Sequence, residues 1–129
     1  MSDGFWRGVF LSAAIFNWFV GLSVAFDTRE WAASMGLQTL HYDAFYSPIA
    51  GWFVILFGML YFAVWRDLDN RAIVFIGMIG KLGAFALTMA AVWRGLAPAA
   101  MAGVVVIDLI YAVLFGLFLL RPQTAAARS

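Results

Sequence analysis

Long apolar runs alternate along this chain with short polar breaks. Four runs, at 8–26, 48–65, 72–93 and 99–120, carry almost no charge. Each is long enough to cross about 30 Å of hydrocarbon, which takes roughly 20 helical residues. In lipid every backbone group must find its partner inside the segment, so such runs fold as helices. The alternating ten-residue pattern of a membrane barrel is missing from them. The run at 8–26 exceeds the apolar core of a signal peptide and no small-residue cleavage pattern follows it, so it reads as a retained helix.

The breaks set the order of the helices. RDLDNR (66–71) and RGLAP (94–98) are tight turns, and short connections make neighbouring helices antiparallel. The expected fold is all-α: an integral membrane four-helix bundle running up-down-up-down. One domain at 1–121 is followed by a flexible tail at 122–129. The break at 27–47 is the longest. Asp27 or Thr28 is placed to cap a short helix that Gly36 ends, with Trp31, Met35 and Leu37 lying on the bilayer surface. Trp6, Trp31, Trp65 and Trp93 fall near span ends, where amphipathic rings settle at the headgroups.

Composition agrees with the pattern. The 129 residues are 65% hydrophobic and 12% charged, with a mean hydropathy of +0.93, where soluble domains carry about a quarter charged residues. There is no cysteine, which excludes disulfides and thiolate metal sites. A net charge of +1 gives no footprint for nucleic acid. Arg7, Arg66, Arg71, Arg121 and Arg128 fall on one side of the spans, and Arg29 and Arg94 on the other. The positive-inside rule then puts both termini and the RDLDNR turn in the cytoplasm.

Against this background three polar residues stand out. At 1.5 Å per residue, Lys81 lies about 13 Å into its span from one side, and Asp108 about 13 Å into its span from the other. Asn17 is central in the first span. All three reach the bilayer midplane. A lone charge there costs at least about 2.5–3.5 kcal/mol, so Lys81 and Asp108 are expected to face each other, with Asn17 filling a remaining hydrogen bond. Tyr61 and Tyr111 lie close enough to join them. Gly21, Gly51, Gly58, Gly77 and Gly80 are the small positions at which helices can approach closely.

Two readings of the pair stand side by side. It fixes helix register, or it serves as a proton, ion or counter-ion site. GMIGKLG (77–83) is not a phosphate loop, because two residues rather than four separate its first glycine from Gly-Lys and no Ser or Thr follows. Asp27, Glu30, His41 and Asp43 are the acidic and imidazole groups of the first break. Their spacing fits no metal loop, so no metal and no cofactor are expected.

The entry to the second run, FYSPIAGW (45–52), together with the size and the number of spans, resembles the small bacterial four-helix membrane proteins of the DoxX type. The resemblance implies an accessory membrane component, in some members beside an oxidoreductase, and carries no site residue to this chain. Three functions follow. The first is a non-enzymatic accessory subunit of a larger membrane complex, in contact with lipids and with a protein partner or a second copy of itself. The second is a small homo-oligomeric proton- or ion-coupled transporter. The third is an intramembrane enzyme acting on a lipid, sterol or quinone.

Overall fold

The structure, a computed structural model, describes residues 1–36 and 41–123. Leu37 and residues 124–129 of the expected tail lie outside the described residues. Among those described, five helices follow one another: α1 (Asp3–Ala25), α2 (Arg29–Ser34), α3 (Tyr46–Arg66), α4 (Arg71–Trp93) and α5 (Ala100–Leu119). All but α2 are long and apolar enough to cross a membrane, and the chain is read here as an integral membrane protein.

Local chemistry sets the ends. α1 starts at Asp3, five residues before the apolar run, because Ser2 Oγ accepts the Phe5 amide at 3.2 Å and Asp3 sits in the positive first turn. α2 is preceded by Asp27, whose carboxylate accepts the Arg29 amide at 3.2 Å, while Thr28 makes no side-chain cap. Trp31 and Met35 are exposed beside it. The Arg29 guanidinium pairs with the same carboxylate and lowers the Asp27 pKa to about 2. α3 is introduced by Asp43, whose Oδ1 accepts the amides of Tyr46 at 2.8 Å and Phe45 at 2.9 Å. α4 closes with Gly95 at φ 71°, where the Leu96 amide reaches back to the Ala91 carbonyl and the Gly95 amide to that of Val92. Only glycine takes that φ without strain.

Packing is uneven. α1 packs mainly on α3, and α4 mainly on α5. The first pair is in backbone contact. A Cβ added at Gly51 would meet Gly21 O and Ala25 N at 2.5 Å, and one at Gly58 would meet the Trp18 ring at 2.6 Å and the Ala14 carbonyl at 3.0 Å. Where lipid replaces water, such close approach supplies the dispersion that holds helices together. Gly80 is not at such a contact: its added Cβ would lie 3.5 Å from the Phe57 ring.

The two pairs join through an aromatic core near one end. Trp6, Phe10, Tyr61, Phe115 and Phe118 are fully or almost fully buried. Trp6 and Phe10 meet Phe118 edge-on at 5.3 and 5.0 Å, and Tyr61 meets Phe115 at 5.1 Å. Trp6 is therefore a core residue and not the interfacial ring expected from its position at a span end, whereas Trp93 is 92% exposed. Around this core Arg7 donates to the Trp65 and Arg66 carbonyls, Arg71 to the Leu119 carbonyl, and Arg121 pairs with Asp3 at 2.5 Å. Arginines thus satisfy last-turn carbonyls that α3 and α5 leave open.

Gly51→Ala is expected to lower stability by about 1–3 kcal/mol, because the methyl group meets backbone that cannot move aside. Gly83→Ala, with nothing within 4 Å, should be neutral or stabilising. Thermal unfolding of both variants in one detergent checks the contrast.

The two amide donors hold the Asp43 carboxyl below its ordinary value, so its capping contribution is present above that ordinary value and is lost as pH falls through the depressed one. In an NMR pH titration the Asp43 carboxyl should titrate below the usual carboxylate range, and the Phe45 and Tyr46 amide shifts should follow it. Titration at the ordinary value would remove the cap.

Candidate functional site

Asn17, Lys81 and Asp108 sit near the middles of α1, α4 and α5, and the structure brings them together. Lys81 Nζ donates to Asp108 Oδ1 at 2.6 Å and to Asn17 Oδ1 at 2.9 Å. Asn17 Nδ2 in turn donates to the Val54 carbonyl of α3 at 3.2 Å. One hydrogen-bonded chain therefore touches all four long helices. Lys81 is 4% exposed, Asn17 7%, and the Asp108 side chain 14%. A charge so buried is tolerable when it is paired and hydrogen-bonded, and this ammonium is both.

Three rings complete its surroundings. Nζ lies 5.4 Å from the centroid of Phe16, 5.5 Å from Tyr61 and 5.3 Å from Tyr111. The negative faces of aromatic rings favour a cation at such range. Tyr61 is held by Gly77, where an added Cβ would lie 2.6 Å from the ring. Tyr111 does not donate to Asp108. Its hydroxyl donates to Ser12 Oγ at 2.8 Å, tying α5 to α1 beside the cluster.

Above the cluster the bundle is hollow. A cavity of about 300 Å³ lies between the α1/α3 and α4/α5 pairs, with Asn17, Lys81 and Asp108 on its wall. Its other lining, including Phe16, Val20, Phe57, Met101 and Val104, is largely apolar and extends away from the aromatic core. A second cavity of about 270 Å³ adjoins it, sharing Val20, Met101 and Val104, and reaches Arg29, His41 and Tyr42 on the segment that joins α1 to α3. The cluster thus stands between a filled half of the bundle and an open half.

Two of the acidic groups of that joining segment, Asp27 and Asp43, are engaged locally. Asp27 is paired with Arg29 and Asp43 caps α3, so neither is gathered with His41 into a ligand set. Sequence reasoning missed Ser12, the Val54 carbonyl, the Phe16 ring and the cavity. Ser12 and Phe16 lie four residues apart on one face of α1, a spacing that could have suggested them together. A backbone carbonyl acceptor and an empty volume leave no mark in a sequence.

No family model, curated protein or solved structure matches the chain.

Lys81→Met alone should be destabilising by on the order of 3 kcal/mol, because it leaves a carboxylate without its partner, and Asp108→Asn alone should act likewise. The double variant should lose much less than the sum of the two. Simple additivity in detergent unfolding would contradict the 2.6 Å contact.

Proposed function

We propose that this chain is a non-enzymatic accessory subunit of a larger assembly in a bacterial inner membrane, and that its central cavity is a binding site walled by the Lys81–Asp108–Asn17 cluster. In this reading the long helices run up-down-up-down with both termini in the cytoplasm. The five-to-two division of arginines supports that orientation, and the FYSPIAGW entry, with the size and helix number, supports a DoxX-type relationship.

The observation that carries the reading is how the ion pair is spent. Lys81 commits two of its three N–H groups to Asp108 and Asn17, and Asn17 passes the link to α3. The cluster ties four helices together and presents one neutralised face to a cavity. The connections between the long helices hold no soluble domain, so activity in an assembly depends on what adjoins the chain in the membrane.

A second reading, a small proton- or ion-coupled transporter working as a homo-oligomer, draws on the one-sided cavity. Its hollow half and its aromatic half would be the open and closed halves of a path meeting at the pair.

Gentle solubilisation of native membranes followed by sizing separates the two. The accessory subunit is expected to co-migrate with different, larger chains. Migration solely with copies of itself, together with Asp108-dependent flux into liposomes, would transfer the assignment to transport.

A further inference from the structure

We infer that the cavity beside Lys81 and Asp108 takes an uncharged, mostly apolar molecule carrying one hydroxyl or carbonyl group, which docks that group on the ion pair. The inference rests on the reading of the cavity as a binding site and adds the class of its ligand.

Charge balance is the first ground. The floor of the cavity holds one ammonium and one carboxylate in contact, so it is neutral. An anion or a cation entering from the bilayer would leave an uncompensated charge at the level where charge is most costly. An uncharged ligand brings no such penalty.

Open hydrogen-bonding capacity is the second. Asp108 Oδ1 accepts from Lys81, while Oδ2 has no hydrogen-bond partner among the described residues and is not sealed from the cavity. Lys81 has a third N–H beyond the two it uses. A hydroxyl can give to Oδ2 and receive from Nζ, and a carbonyl can receive from Nζ. A purely apolar occupant leaves both unanswered, and an unanswered buried polar group costs more than a hydrogen bond gains.

Shape and access are the third. The volume of about 300 Å³ is at the low end of small-molecule sites, which span about 300–1,000 Å³, so one compact ring system fits. Phe16, Phe57, Val20 and Val104 offer it apolar walls. Gly80 and Ala84, also in the lining, are exposed on the surface of α4. A molecule dissolved in the bilayer can therefore enter from the side, between the helix pairs, without crossing water.

Three probes with one ring skeleton test the class on the full chain in detergent: naphthalene, 2-naphthol and, at neutral pH, 2-naphthoate. The expected result is a saturable rise in the unfolding midpoint with 2-naphthol. Its apparent affinity should exceed that of naphthalene by about tenfold, the worth of one net hydrogen bond. 2-Naphthoate should give no saturable rise. Val104→Trp, which places an indole in the cavity one turn from Asp108, should abolish the 2-naphthol response, and Leu87→Ala on the exposed face of α4 should keep it. Should Val104→Trp fail to fold, the ranking of the three probes on the unaltered chain decides. Equal responses to all three, a preference for the anion, or no response at all overturns the inference. None of these outcomes touches co-migration with larger chains, so a failure of the ligand class and a failure of the accessory role remain distinct.

Discussion

A single ammonium halfway along an apolar helix constrains almost everything else in this bundle. Lys81 cannot face lipid at tolerable cost, so α4 must turn it inward, and once inward it must meet an anion. Asp108 supplies that anion from α5, and Asn17 extends the link through α1 to the Val54 carbonyl of α3. The rotation of each long helix about its own axis is thereby fixed at one level. Nonspecific apolar packing could not do this, because lipid tails compete with any leucine-lined face on equal terms.

The glycines solve a different part of the problem. Gly21, Gly51 and Gly58 bring α1 and α3 to backbone contact, and the hydrogen bonds of Asn17 to Val54 and of Arg7 to Trp65 and Arg66 join the same two helices. α4 and α5 make the other pair, in which a Cβ added at Gly83 or Gly103 would meet nothing within 4 Å and one at Gly116 would lie 3.5 Å from the Met78 sulfur. The polar chain and the aromatic core are what join the pairs. A bundle built this way has a strong seam within each pair and a weaker one between them, and the weaker seam is where the cavity lies.

Much of this was legible in the sequence, and the reasons differ by feature. The four spans follow from the length of the apolar runs. The shared depth of Asn17, Lys81 and Asp108 follows from helical rise, a fixed quantity. What escaped depended on relations between distant side chains. Trp6 reads as an interfacial ring because it precedes an apolar run, yet Ser2 starts the helix earlier and turns the indole onto Phe118. Tyr111 shares a face with Asp108, but the hydroxyl of Ser12 is the acceptor within its reach. Gly80 has the look of a packing residue and faces no helix backbone. Spacing along one helix cannot reveal which atom of another helix lies opposite.

The hollow half has its own cause in the gradient of side-chain size along the helices. Near one end α1 offers Trp6 and Phe10, α3 offers Tyr61, and α5 offers Phe115 and Phe118, enough volume to fill the space between the pairs. Beyond the polar cluster the cavity is lined by Val20 on α1, Ala84 and Thr88 on α4, and Val104 and Val105 on α5, with Phe53 and Met101 the larger residues there. Lys81 and Asp108 hold the helices at one separation at mid-level, and those smaller side chains do not reach across it. Collapse of the open half would require the helices to splay or tilt about the cluster, which would lengthen hydrogen bonds whose loss is costly in a nonpolar setting. The ion pair therefore does two things with one geometry: it neutralises a buried charge, and it braces the helices at the wall of the cavity.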